Sequence, residues 1–328
     1  MSNRSSHHII FCVVCTCMFP LFAIASLCDG SKKFLSSFTP SISSVAHRGY
    51  KIHGAVENTA EAYRYAREAG FQYGETDIQW TKDNIPVCCH DKFFIDNTTK
   101  DSITIEQYTL DELRCFNYKG TTISTLEEVM DTCKKHGLGL YLDRLTPLEG
   151  ERKQTLCGLI DNFGKENVCY LFGWYQRAGI QQVLEYDPNA QIGILYFKKI
   201  DTALVEFANS ISTPSNKVFL DLEHASNPID TLEKYIPLLN ENISLGFFTI
   251  NNKNTYMRYL PYATSITSDQ ISEEMLYVSG INNISSDNVV RTEYYSIDGI
   301  KINQPTKGIV IRRQTLSDDR VITDKVIL

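Results

Sequence analysis

The chain reads as an α/β protein, a TIM (β/α)8 barrel followed by a small C-terminal β appendage. Three observations lead there. Eight short runs rich in β-forming residues recur between stretches of helical period, over roughly 240 residues, the usual size of such a barrel. The side chains best suited to chemistry stand at the ends of those runs, where barrel sites are built. The chain also lacks the Gly-rich dinucleotide loop that would favour the structural alternative, a doubly wound open sheet. With 328 residues, 43% of them hydrophobic and 22% charged, the chain can bury a large core. Its net charge of -7 argues against general nucleic-acid binding, which needs a basic face, and leaves room for a local phosphate pocket.

The elements follow in order. Arg4 precedes an apolar run, Ile9 to Ala25, that contains Pro20 and ends Ala23-Ile24-Ala25. This is the pattern of a secretory signal with a small-residue cleavage site, and it predicts removal of residues 1–25. A membrane anchor is the alternative, but the run is short for a span and has no charged stop flank. Cys28 would suit a lipoprotein, although Leu27 before it fits a lipidation site poorly. The mature protein is therefore expected outside the cytoplasm, whether periplasmic, outer-membrane-associated or extracellular. Residues 26–43 read as a linker and residues 44–272 as the barrel. Residues 273–328 read as a second linker and a β tail, with turns at Asp298-Gly299 and Lys307-Gly308. Of the ten cysteines, Cys12, Cys15 and Cys17 lie in the apolar run. The others have no C-x-x-C spacing, so a zinc site is not expected. Cys88 and Cys89 should point to opposite faces of a strand as small apolar fillers.

Within the barrel, Ser44 to His47 reads as the first strand. Asn58 to Ala69 reads as a helix, with Asn58 as its cap, Glu61 at the capping-box position and Gly70 at its end. Tyr73 to Trp80 is the second strand, turned by Asp83-Asn84 into a hairpin return, Val87 to His90. Thr109 with Glu112, and Ser124 with Glu127, read as capping boxes of further helices. Strands follow at Leu138 to Asp143, Val168 to Phe172, Ile192 to Tyr196, Val218 to Leu222, Leu245 to Ile250 and Ser265 to Ser268.

The chemistry is concentrated early. His47-Arg48-Gly49 closes the first strand, Glu75 and Asp77 share one face of the second, and His90 follows the hairpin. Two carboxylates on an inward barrel face need a cation, which predicts metal ligation, with Asp143 as third ligand; a solvated face or a local ion pair is the plainer reading of each. All-oxygen ligation suits a divalent cation such as calcium or magnesium. His47 and His90 are the expected acid–base pair. Arg48 offers a fork for phosphate oxygens, or an ion pair with Glu57, whose part is to orient Arg48 or a ligand. His224, after a later strand, is a candidate substrate contact. His136, at a helix end, is expected to serve the helix dipole. Phe93, Phe94, Trp174 and Tyr175 are candidates for an apolar lip.

The ordered set His47-Arg48-Gly49, Glu57-Asn58-Thr59, Glu75-Thr76-Asp77, Thr81-Lys82-Asp83 and His90-Asp91 resembles the glycerophosphodiester phosphodiesterase family. Thr125-Leu126-Glu127-Glu128, Thr249-Ile250-Asn251 and Thr267-Ser268-Asp269 extend the likeness over about residues 44 to 270. The resemblance implies metal-dependent hydrolysis of glycerophosphodiesters to an alcohol and glycerol phosphate. A hydroxyl beside the diester attacks phosphorus, one histidine takes its proton, the other protonates the leaving alcohol, and water then opens the cyclic phosphate. It implies a small-molecule phosphodiester as partner, no nucleic acid, and at most transient contact with membrane lipid; it leaves the oligomeric state open. Three positions depart from the family pattern. Val56 replaces a proline. Phe247 and Phe248 stand where a tryptophan is usual, so Phe248 is a candidate substrate contact. Leu145 occupies the position of a lysine, with Arg144 expected to face away from the site. These departures keep two other readings open, a barrel that only binds phosphorylated ligands and a phospholipase-type relative acting on lysophospholipids. The tail around Tyr294-Tyr295-Ser296-Ile297-Asp298-Gly299 resembles the C-terminal β tails of secreted Bacteroidetes-type bacterial proteins.

Overall fold

The computed structural model describes residues 43–145, 149–272, 275, 289–295, 301–302, 309–316 and 321–327. The apolar run Ile9 to Ala25, its cleavage pattern and the turns at Asp298-Gly299 and Lys307-Gly308 lie outside the described residues. No helix among the described residues is long and apolar enough to cross a membrane.

The strands are β1 Ser43–His47, β2 Tyr73–Trp80, β3 Pro86–Cys88, β4 Phe93–Ile95, β5 Ser102–Thr104, β6 Gly139–Asp143, β7 Val168–Gly173, β8 Gln191–Tyr196, β9 Lys217–Glu223, β10 Ile243–Phe248 and β11 Ser265–Ser268. After them come β12 Val289–Tyr295, β13 Lys301–Ile302, β14 Ile309–Leu316 and β15 Val321–Ile327. β1, β2 and β6 to β11 pair in parallel, each with the next, and β11 returns to β1. The ring closes as an eight-stranded barrel. β3 lies outside it, antiparallel to β2. β12 to β15 form a separate antiparallel sheet in the order β13-β12-β14-β15.

Parallel strands need crossovers, and helices supply them. The helix Leu126–His136 opens on a capping box and ends at Gly137, in the left-handed conformation. Its box is Thr125 with Glu128, one residue beyond the expected Ser124 and Glu127. Thr109 with Glu112 forms the other expected box. The first helix departs more. It runs Ala60–Glu68 with Thr59 at the cap position and no capping side chain. Asn58, expected to cap it, is buried and turned toward β2 instead.

Side chains alternate along each strand, so one face lines the barrel and the other meets the helices. Val45, Tyr141, Cys169, Leu171 and Phe219 fill the interior, and a larger apolar layer packs between strands and helices. A third cluster, which includes Val87, Cys89, Phe94, Ile103 and Tyr118, belongs to the insertion between β2 and the helix Leu126–His136. Cys88 joins the main layer and Cys89 the insertion's cluster, the opposite faces expected of neighbours in an extended chain. Burial pushes their thiols up to about 12 and about 11, so both act as apolar fillers.

Candidate active site

The carboxyl ends of β1, β2 and β6 bring the site together. His47 lies in register with Glu75, and Asp77 with Asp143. Immediately beyond β1 and β6 the chain turns through non-glycine residues with left-handed backbone, Arg48 at φ 59 and Arg144 at φ 59. Asn58 adopts φ 59 as well. Such positions are uncommon for L residues and cluster where surrounding structure holds them for a purpose. Gly49, at φ 80, completes the first turn, and a Cβ there would meet that of Ala62 at 2.7 Å.

The Arg48 backbone N–H donates to Glu75 Oε2 at 3.0 Å. Its guanidinium meets Glu57 at 3.4 Å and approaches Asp77 Oδ2 at 3.3 Å, the latter as a charge contact without hydrogen-bond alignment. Glu57 also takes the ammonium of Lys119. Thus Arg48 is ion-paired with Glu57 and still stands over the acidic set. Asn58 donates to the other side of that set, Nδ2 to Asp77 Oδ2 at 2.9 Å. Its carbonyl oxygen accepts from Tyr63 and Thr76. Tyr63 can lie flat on β2 only because residue 74 is glycine, where a Cβ would meet its ring at 2.5 Å.

Glu75, Asp77 and Asp143 each offer a carboxylate oxygen, and these lie within 4.8 Å of one another. Burial, then the charges of Asp77 and Asp143, push Glu75 well above the usual carboxylate range. Burial and Asp77 likewise raise Asp143 to about 6. Three converging oxygens whose negative charges oppose each other form a donor set that a hard divalent cation fits.

The histidines flank this set. His47 Nδ1 meets Asp269 Oδ1 at 2.9 Å, across 222 residues of chain. Asp269 also accepts from Lys51 Nζ at 2.6 Å and Asn251 Nδ2 at 2.7 Å. Burial works against ionising Asp269, but these three donors outweigh it and hold its carboxyl far below the ordinary range. His90, expected to end the hairpin return, falls past it, since that strand stops at Cys88. It lies two residues beyond β3, on the return that runs outside the ring. Its Nδ1 meets Asp91 at 2.9 Å, and Arg144 Nη2 donates to its Nε2 at 2.5 Å. A guanidinium can only donate, so in this arrangement Nε2 accepts and Nδ1 is the donor to Asp91.

Arg144 therefore corrects the sequence expectation. Simple strand alternation would turn it away from the site, but its left-handed backbone ends the alternation. Its Nε donates to Asp77 Oδ1 at 2.9 Å. Leu145, at the lysine position, is 3% exposed and packs into the core. His224 Nδ1 donates to the Phe248 carbonyl at 3.1 Å, and its ring meets Tyr259 edge-on, which ties it to the barrel wall. Phe248 packs edge-to-face on Phe197 at 5.0 Å between ring centres. Beside the acidic set opens a cavity of about 770 Å³, whose lining includes Asp143, Arg144, Leu145, Trp174, Tyr175 and Phe197. Phe93, Trp174, Tyr175 and Phe197 are exposed. Phe94, expected at the lip, is buried in the insertion's own core instead, because adjacent residues of β4 face opposite ways.

The profile of the glycerophosphoryl diester phosphodiesterase family matches residues 47–184. A glycerophosphodiester phosphodiesterase of Bacillus subtilis is 30% identical over 198 residues, 50% of this chain and 67% of that protein. The chain belongs to the glycerophosphoryl diester phosphodiesterase family. Glycerophosphodiester phosphodiesterase 1 of Mus musculus is 34% identical over 112 residues, 31% of this chain. The chain spans about a third of the length of that mammalian relative, 33%. In fold, the chain is similar to a phosphodiesterase of Oleispira antarctica solved with the product sn-glycerol 3-phosphate. That likeness has a TM-score of 0.59 at 21% identity, covering 74% of this chain and 97% of the other.

The stretch matched to the glycerophosphoryl diester phosphodiesterase family holds His47, Arg48, Glu57, Glu75, Asp77, His90 and Asp143, and the fold brings all seven to one end of the barrel. Asp269, Lys51, Asn251, Asn58 and Arg144 were not assigned site roles from sequence. Asn58, Asn251 and Asp269 do stand inside quoted motifs, and that signal could have marked them. For Lys51 and Arg144 no local signal exists.

Proposed function

We propose that the protein hydrolyses glycerophosphodiesters to an alcohol and glycerol phosphate. The observation that carries this reading is the placing of two carboxylate-backed histidines, His47 on Asp269 and His90 on Asp91, on either side of the Glu75–Asp77–Asp143 set. Those three residues would hold a divalent cation, calcium or magnesium, which when bound supplies charge stabilisation to a phosphoryl oxygen. Arg48 holds phosphate oxygens, kept in place by Glu57. One histidine accepts the proton of a substrate hydroxyl as that oxygen attacks phosphorus. The other gives its proton to the departing alcohol, and water reverses the roles to open the cyclic ester. Asp269 and Asp91 fix the orientation of each ring through Nδ1, leaving Nε2 for proton transfer.

One observation favours a second reading, diesters with an apolar alcohol such as lysophospholipids. The cavity beside the acidic set has exposed aromatic rings in its wall, Trp174, Tyr175 and Phe197. Rates of the purified protein on glycerophosphocholine, lysophosphatidylcholine and bis(p-nitrophenyl) phosphate, with and without chelator, separate the two. Turnover of glycerophosphocholine that chelation abolishes is the expected result. No turnover of any diester would reject hydrolysis in favour of a binding protein. We further propose, from the N-terminal pattern and the likeness of the tail, that the chain is exported. N-terminal sequencing from the native host should begin at or near Ser26, and retained Met1 would reject this.

A further inference from the structure

We propose that Arg144 is a phosphate-binding residue, a second fork that faces Arg48 across the acidic set. The proposal rests on the hydrolytic reading above for the identity of the anion. The backbone supplies the first argument. Residue 144 sits at φ 59, where a side chain other than Gly is strained, and the effect is to turn a strand-end residue back into the site. Had the strand continued, residue 144 would face the helices. The contacts supply the second. Arg48 and Arg144 approach Asp77 from its two oxygens, Oδ2 and Oδ1. The two guanidinium groups thus converge on the carboxylate at the centre of the acidic set.

The position supplies the third argument. The Arg144 guanidinium bridges Asp77 to His90 Nε2. That nitrogen must be available when His90 moves a proton, so the contact has to give way as substrate enters. An incoming phosphodiester anion offers two non-bridging oxygens in the geometry that a guanidinium fork matches. Arg144 also lines the 770 Å³ cavity, so its donors border the space in which a substrate would lie. Meanwhile Leu145 is packed in the core, which leaves Arg144 as the cation that this loop brings to the site.

The test uses the full-length protein, metal-loaded for product binding and kinetics and metal-free for the cation titration, and has a readout besides activity. Wild type, R144A, R144Q and R144K are titrated by calorimetry with sn-glycerol 3-phosphate and, separately, with Mg²⁺ alone. Their kcat and KM on glycerophosphocholine are taken in parallel. Because Arg144 is well exposed, unchanged melting temperatures are expected and serve as the folding check. R144A and R144Q should weaken product binding about tenfold or more and lower kcat/KM about a hundredfold, with R144K between them and wild type. Mg²⁺ affinity should be unchanged, or tighter because a competing cation has gone. Product binding equal to wild type in R144A would overturn the proposal. So would a parallel loss of Mg²⁺ affinity, since Arg144 would then be organising the acidic set. If wild type turns over no diester yet its product binding depends on Arg144, the phosphate assignment stands and the hydrolytic reading fails.

Discussion

At the scale of single residues, His47 and His90 each meet a carboxylate at Nδ1, which leaves Nε2 of each ring as the nitrogen for proton transfer in the proposed reaction. H47A and H90A should each lower kcat by about a hundredfold or more, the usual loss for an acid–base group. The double variant should cost little beyond the worse single one, because the pair acts as a unit. Steady-state kinetics on glycerophosphocholine check both statements. Leu145 gives a prediction of the opposite kind. Its side chain packs in the core, so L145K buries an ammonium without a partner. The variant should lower the melting temperature by several degrees and should not raise the rate, since Arg144 already brings a cation to the site. A thermal melt together with an activity assay decides this.

At the scale of elements, β2 is placed by a ring. Tyr63, on the first helix, lies over Gly74 and donates its hydroxyl to the Glu75 carbonyl at 2.9 Å and to Asn58 at 3.0 Å. The contact thereby sets the depth of the strand that carries two proposed ligands. G74A would force a Cβ to 2.5 Å from a rigid aromatic ring that cannot swing aside. The expected cost is about 1–3 kcal/mol, as for other overpacked cores. Divalent-cation affinity should fall with it, measured by chemical denaturation and by calorimetry. On β9, Asp221 points the same way as Phe219, into the barrel, and its Oδ1 has no hydrogen-bond partner among the described residues. Burial, with a smaller contribution from Asp143, lifts its carboxyl from 3.8 to about 8. A raised folded-state value means that the folded chain keeps a proton which the unfolded chain releases near pH 4. The metal-free protein should therefore lose stability as pH rises from about 4 to 8. D221N should flatten that slope and melt higher than wild type at pH 8. Melting curves across this range measure both.

At the scale of the whole molecule, the barrel brings an acidic set together without compensating it fully, and a bound ion would join β2 to the end of β6, two strands far apart in sequence. Stripping divalent cations should abolish turnover and lower the melting temperature, and added Mg²⁺ or Ca²⁺ should restore both by mass action. Affinity for the ion should weaken as pH falls through about 6, because Asp143 must then give up a proton to ligate. Calorimetric titration at pH 5, 6 and 7.5 reads this directly. A metal-free protein with full activity would falsify the role given to Glu75, Asp77 and Asp143.

The sequence by itself determined the barrel and the parts of the site that are local to one strand end. Alternation of β-rich runs with capped helices reflects short-range preferences, so seven of the eight barrel strands end within one residue of where the pattern put them, and the eighth, read as Leu245 to Ile250, stops at Phe248. Glu75 and Asp77 share a face because a strand has period two, and that is legible from spacing alone. Tertiary structure decided the rest. Asp269 meets His47 because the ring closes β11 onto β1, a contact across 222 residues that no local pattern encodes. Asn58 looked like a helix cap from its neighbours, yet its side chain serves Asp77, because a buried carboxylate rewards a donor more than a helix end open to water does. Arg144 was misplaced by the same rule that placed Glu75 correctly. Strand alternation holds only while the backbone stays extended, and at residue 144 a left-handed turn ends it.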